Sequence, residues 1–158
     1  MKRASAFILS TLLLGACGSD VTPELTAQQL MAQRVQPTAE IYWDAVRYES
    51  VLENGEPVQR DIEPQTDADW KKVQDAAIEL GKLGELLKTP GYTDGRGDDW
   101  TTFAQALVDV SKRAEAAAAA KDPAAVFEVG GTVYSVCTAC HGVYPPAAGT
   151  GTEAAPGA

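Results

Sequence analysis

Apolar residues recur at three- and four-residue steps in four stretches of the chain, a spacing that predicts four helices and no convincing strand. The first predicted helix runs from about Pro23 to about Tyr48, with Pro23 and Glu24 suited to a first turn. Leu30, Met31, Val35, Ile41, Tyr42, Ala45 and Val46 form its apolar side. Pro37 lies inside this stretch; it lacks an N–H and crowds the preceding turn, so a kink or break is expected near Val35. Residues 49–65, carrying Asn54-Gly55-Glu56-Pro57 and Glu63-Pro64, read as a polar excursion and not an element, long for a connection between helices.

The second helix is expected to begin at Thr66 or Asp67 and reach about Lys88, with Trp70, Val73, Ala77, Leu80 and Leu87 as its core stripe. Thr89 to Gly97 is turn material. The third helix opens at Asp98 or Asp99 and turns Trp100, Phe103, Leu107, Val110 and Ala114 inward. The fourth has the clearest start, Asp122 as N-cap and Pro123 at the first helical position. Phe127, Gly130, Tyr134, Cys137, His141 and Tyr144 then step along one face until Pro145-Pro146. These elements predict an all-α fold, an antiparallel up-down four-helix bundle over residues 23–145, with a mobile tail at 146–158.

Residues 1–16 fall outside that pattern. Lys2 and Arg3 precede an apolar run from Ala6 to Leu14, too short for a permanent span, as in a secretory signal. Leu14-Gly15-Ala16-Cys17 resembles a bacterial lipobox, which makes Cys17 the expected lipidation site and residues 17–22 a short tether. An ordinary signal cut near Ala16 would instead leave Cys17 as a lone free thiol. Acyl chains would hold the domain at a membrane surface facing the periplasm. Gly18, where Asp would favour the inner membrane, points to the outer one. Loss of the segment takes the formal charge from −9 to −11. Such a surface excludes nucleic acid as a partner and suits a neutral or basic protein.

The remaining chemistry is concentrated in Cys137-Thr138-Ala139-Cys140-His141. C-x-x-C-H is the attachment signature of c-type haem: two thiols form thioethers with the vinyl groups, and the imidazole binds the iron. On a helix all three side chains share a face. A closed zinc site would need four ligands, and the chain has one His and, beyond this pair, only Cys17. A thioredoxin-like pair would open a helix after a strand, whereas this one closes a helix. Two buried structural cysteines would leave His141 without a purpose.

A four-helix chain ending in C-x-x-C-H, with Gly130 and Tyr134 before the motif and Tyr144 after it, resembles the class II c-type cytochromes, the cytochrome c′ and c556 group. The resemblance implies one covalent haem c near the C-terminal end of helix four, held by Cys137 and Cys140, with His141 as axial iron ligand. It also implies a redox partner protein, and a homodimer through the first two helices is a common arrangement in the family. Members divide by the sixth iron position, filled by a helix-one Met or left open to NO or CO. Met31 is the only methionine besides Met1, so it is the candidate ligand; its alternative is core filling. Arg34 and Tyr134 are candidates for contacts with haem, Arg34 through a propionate. The family's high-spin members carry a basic residue four positions beyond the axial His, where this chain has Pro145. One-electron transfer is the expected function, and an enzyme the weakest reading, because the single His is already used.

Overall fold

The computed structural model describes residues 23–146, so the expected signal segment, Cys17 and its tether, and the tail beyond Pro146 lie outside the described residues. The chain is mostly helical, with one two-stranded antiparallel sheet among the described residues. Helix α1 spans 27–43 as Ala27–Leu30, a π-helical turn Met31–Val35, and Gln36–Trp43. A capping box of Thr26 and Gln29 starts it, later than Pro23. Pro37 neither breaks nor ends the helix. Because proline cannot donate to the carbonyl four residues back, the preceding turn widens, and the Gln36 N–H donates to the Met31 carbonyl in a five-residue step.

The reading of 49–65 as a structureless excursion is corrected. Strands β1 (Arg47–Glu53) and β2 (Glu56–Ile62) form a hairpin in which Val51 pairs with Val58 and Glu53 with Glu56. The turn explains it: Asn54 and Gly55 have φ of 54° and 87°, the two left-handed residues that a tight hairpin loop requires. Arg60 pairs with Glu53 across the sheet.

Helix α2 (Asp67–Leu87) starts at Thr66, where Thr66 and Asp69 cap each other reciprocally. Hydrogen bonding to Thr66 holds the Asp69 carboxyl below its ordinary range. A short helix α3 (Pro90–Thr93) lies within the expected turn, and its Tyr92 hydroxyl donates to the Leu25 carbonyl at 2.9 Å. Helices α4 (Asp98–Ala119) and α5 (Pro123–Val143) complete the body. Asp122 caps α5, its Oδ1 accepting from the Ala125 N–H at 3.0 Å.

One core joins these helices. Trp70, Val73, Ala77, Leu80 and Leu87 of α2 and Trp100, Leu107, Val110 and Ala114 of α4 are all buried, as their spacing predicts. Helices α2 and α4 approach closely at Gly84, where a Cβ would lie 2.8 Å from Val108 Cγ2. Trp100 Nε1 donates to the Leu87 carbonyl at 2.8 Å, and the Tyr42 hydroxyl to the Ala114 carbonyl at 3.3 Å. Burial pushes the Tyr42 phenol up to about 12. Ile41, expected inside, is partly exposed. On α5 the inward stripe is Val126, Val129, Gly130 and Val133, not the row containing Phe127 and Tyr134, which are exposed. Among the described residues no helix is long and apolar enough to cross a membrane.

Candidate haem site

Burial along α5 stops at Val133, although ten more helical residues follow. Over those residues Cys137 and Cys140 are half-buried and His141 is exposed. They face a cavity of about 560 Å³, within the range of small-molecule and cofactor sites. Met31, Val35, Ala39 and Trp43 form its α1 wall, one residue in every four, so the widened turn leaves Met31 in line with the stripe that follows it. Leu87 and Leu107 close it from α2 and α4, and Tyr134, Cys137, Cys140 and His141 come from α5.

Both cysteines are free thiols. Burial raises the Cys137 thiol, with a smaller contribution from Cys140; burial also raises Cys140, with Asp99 adding to it. Both groups are therefore kept in the neutral thiol form. Among the described residues no three His, Cys, Asp or Glu side chains gather into a metal-binding group. The donor set fits a different ligand: two adjacent free thiols for covalent attachment, one imidazole beside them, a thioether across the cavity, and apolar walls between. A haem brings its own four nitrogens and needs only axial donors from protein.

The end of α5 is fastened to the start of α4. The Tyr144 hydroxyl donates to Asp99 Oδ1 at 2.5 Å and accepts from the Gly97 N–H at 3.2 Å, and its ring meets Trp100 edge-on at 5.0 Å. Asp99 raises the Tyr144 phenol by accepting its proton in that bond. Trp43 fastens the other side, its Nε1 donating to the Gly130 carbonyl at 3.0 Å.

Most of the residues singled out in the sequence meet at this cavity. Cys137, Cys140, His141, Met31 and Tyr134 line one cavity. Arg34 lies outside that lining and pairs with Glu79 of α2. Cys17 lies outside the described residues. Trp43 is also a wall of the cavity, and its place in the four-residue row from Met31 is the sequence signal for it. The partnership of Tyr144 with Asp99 had no sequence signal, because it joins residues 45 apart. Comparison with protein-family models, with curated proteins and with solved structures returns no match to this chain.

Proposed function

We propose that the protein is a class II-type cytochrome that carries one covalent haem c and transfers single electrons. The observation that carries this reading is the convergence of Met31, Cys137, Cys140 and His141 on one cavity. The pairings between helices support an up-down four-helix bundle. Arg34 meets Glu79 while Thr38 and Ile41 lie with Ala68 and Lys71, Leu87 meets Trp100, and Asp99 meets Tyr144, contacts expected of long helices that each run opposite to the next.

In this reading Cys137 and Cys140 would hold the group covalently, and His141 and Met31 would supply donors to its iron. When bound, the haem supplies a one-electron couple at its iron, and Met ligation raises its potential. The chain does the rest. Val35, Ala39, Leu87 and Leu107 exclude water from the ligand faces, which favours the less charged reduced state. The Tyr144–Asp99 bond holds the turn that presents His141, and Trp43 holds α5 to α1. Among the described residues the cavity lining holds one His, which this reading assigns to the iron, and the function proposed is that of an electron carrier. Export, a lipid on Cys17 and a periplasmic place at the outer membrane belong to the same proposal.

If Met31 stays off the iron, Val35 and Ala39 leave an apolar open face suited to NO or CO. Optical spectra of the haem-loaded protein in both oxidation states, for wild type and Met31→Ala, separate the two. A low-spin spectrum with the near-infrared Met-to-ferric-iron band, lost on substitution, is expected. A high-spin spectrum unchanged by the substitution would move the gas-binding reading to first place.

A further inference from the structure

Behind the haem cavity lies a second one of about 490 Å³, a groove between the base of the hairpin and the outward side of α5. Trp43 and Tyr134 line both, with ring centroids 6.0 Å apart. Its outer edge is a second aromatic pair, Tyr48 against Phe127 at 5.0 Å. Phe127, Tyr134 and Tyr48 are all more than half exposed, and Leu52, on the same face of the hairpin as Tyr48, is 76% exposed. Largely apolar surface of this kind, with only Arg47 and Glu49 charged in its lining, is normally covered in use.

The charges around it name what covers it. Helix α5 contains no Lys or Arg, and Glu128 stands exposed beside Phe127. Both arginines of the hairpin are occupied, Arg47 by Asp44 and Glu49 at 3.7 and 3.6 Å and Arg60 by Glu53. Among the described residues, Asp61, directly opposite Tyr48 in the sheet, and Glu56 and Glu63 at the two ends of β2 have no cation paired with them. A second copy of this chain would bring these acids against one another, in a protein with a formal charge of −9.

We propose that the β1–β2 hairpin and the Phe127–Tyr134 side of α5 form a docking surface for a basic redox protein whose own apolar contact patch is ringed by Lys or Arg. This rests on the electron-transfer reading and assigns its partner face. The aromatic groove is the contact core, and Asp61, Glu63 and Glu128 are the rim that steers approach. Docking here would bring the partner's oxidised centre to the aromatic side of the cavity that would hold the reduced haem, for transfer of one electron with no bond made or broken. Tyr134 and Trp43 stand between the cavity and the docked surface as positioning residues. A small core with a charged rim gives a weak, fast-exchanging complex suited to turnover.

Mitochondrial cytochrome c, a basic haem protein, is the probe. Titrated into the isotope-labelled holoprotein with both proteins reduced, it is expected to shift the amide signals of Tyr48, Phe127, Gly131 and Tyr134. Affinity should fall steeply with salt, and the same probe with acetylated lysines should not bind. Asp61→Lys with Glu128→Lys should weaken binding about fivefold or more at low salt, and Asp109→Lys, on the exposed side of α4, should leave it unchanged. Shifts confined to another face, equal binding by the acetylated probe, or self-association through this surface would each overturn the proposal. Because the readout is binding to a protein already shown to carry haem, these results leave the proposed function standing; a chain that takes up no haem would overturn both.

Discussion

Helices α4 and α5 are nearly equal in length, 22 and 21 residues, and they use their apolar residues in opposite ways. Helix α4 divides cleanly into faces. Its buried residues run from Trp100 to Ala118, and its charges lie on the other side. Helix α5 carries almost no charge, yet its burial ends at Val133, and its remaining residues face a cavity or solvent. An apolar helix half of which the chain leaves uncovered offers that half to a ligand or a partner, and the proposed haem would cover its cavity side. Helix α4 therefore reports on folding, and the second half of α5 on binding.

The largest expected effect breaks the α4 side of this contrast. Trp100→Ala removes a buried ring and the bond to the Leu87 carbonyl, and should cost about 3–5 kcal/mol in denaturant unfolding. Gly84→Ala puts a methyl against Val108 and the Ala104 carbonyl and should cost about 1–3 kcal/mol in the same assay. Gly131→Ala on α5 meets nothing within 4 Å; replacing a mid-helix glycine there should stabilise by about 0.5–1 kcal/mol. Opposite signs for these two glycines would sharpen the comparison, and equal signs would break it.

The smallest effect near neutrality is that of Tyr42, which ties α1 to α4 and whose phenol is pushed up to about 12 by burial. The folded state holds this proton more tightly than the unfolded chain does, so the contribution is fully present below pH 10. It is lost as pH rises from 10 through about 12. Stability measured against pH should fall less steeply for Tyr42→Phe than for wild type across that window.

Much of the fold was legible because the signals are local. Thr66, Asp122 and Pro123 mark helix starts by satisfying or dispensing with free N–H groups, Asp98 by placing negative charge in a first turn, and the stripes of α2 and α4 follow the helical repeat. The cysteine pair and His141 were legible as a candidate site because the haem-attachment signature sets them at fixed, adjacent positions. The hairpin was missed because Asn54-Gly55 was read only as a breaker; between Val51 and Val58 it is the strongest short-range sign of paired strands. On α5 the row from Phe127 to Tyr144 was legible as one face, but which neighbours enter the core was not, since a helix rich in apolar residues on every side offers no polar face to orient it. The widening at Met31–Val35 and the Tyr144–Asp99 bond depend on how the elements meet, which no single stretch records.

The most direct measurement is the mass of the denatured protein after maturation in cells equipped to attach c-type haem, for wild type and for Cys137→Ser with Cys140→Ser. The wild-type chain should carry the mass of one haem that survives denaturation, and its two motif thiols should resist alkylation. The double variant should carry none. A wild-type chain of unchanged mass, with Cys137 and Cys140 both alkylated, would contradict the assignment of this cavity to haem.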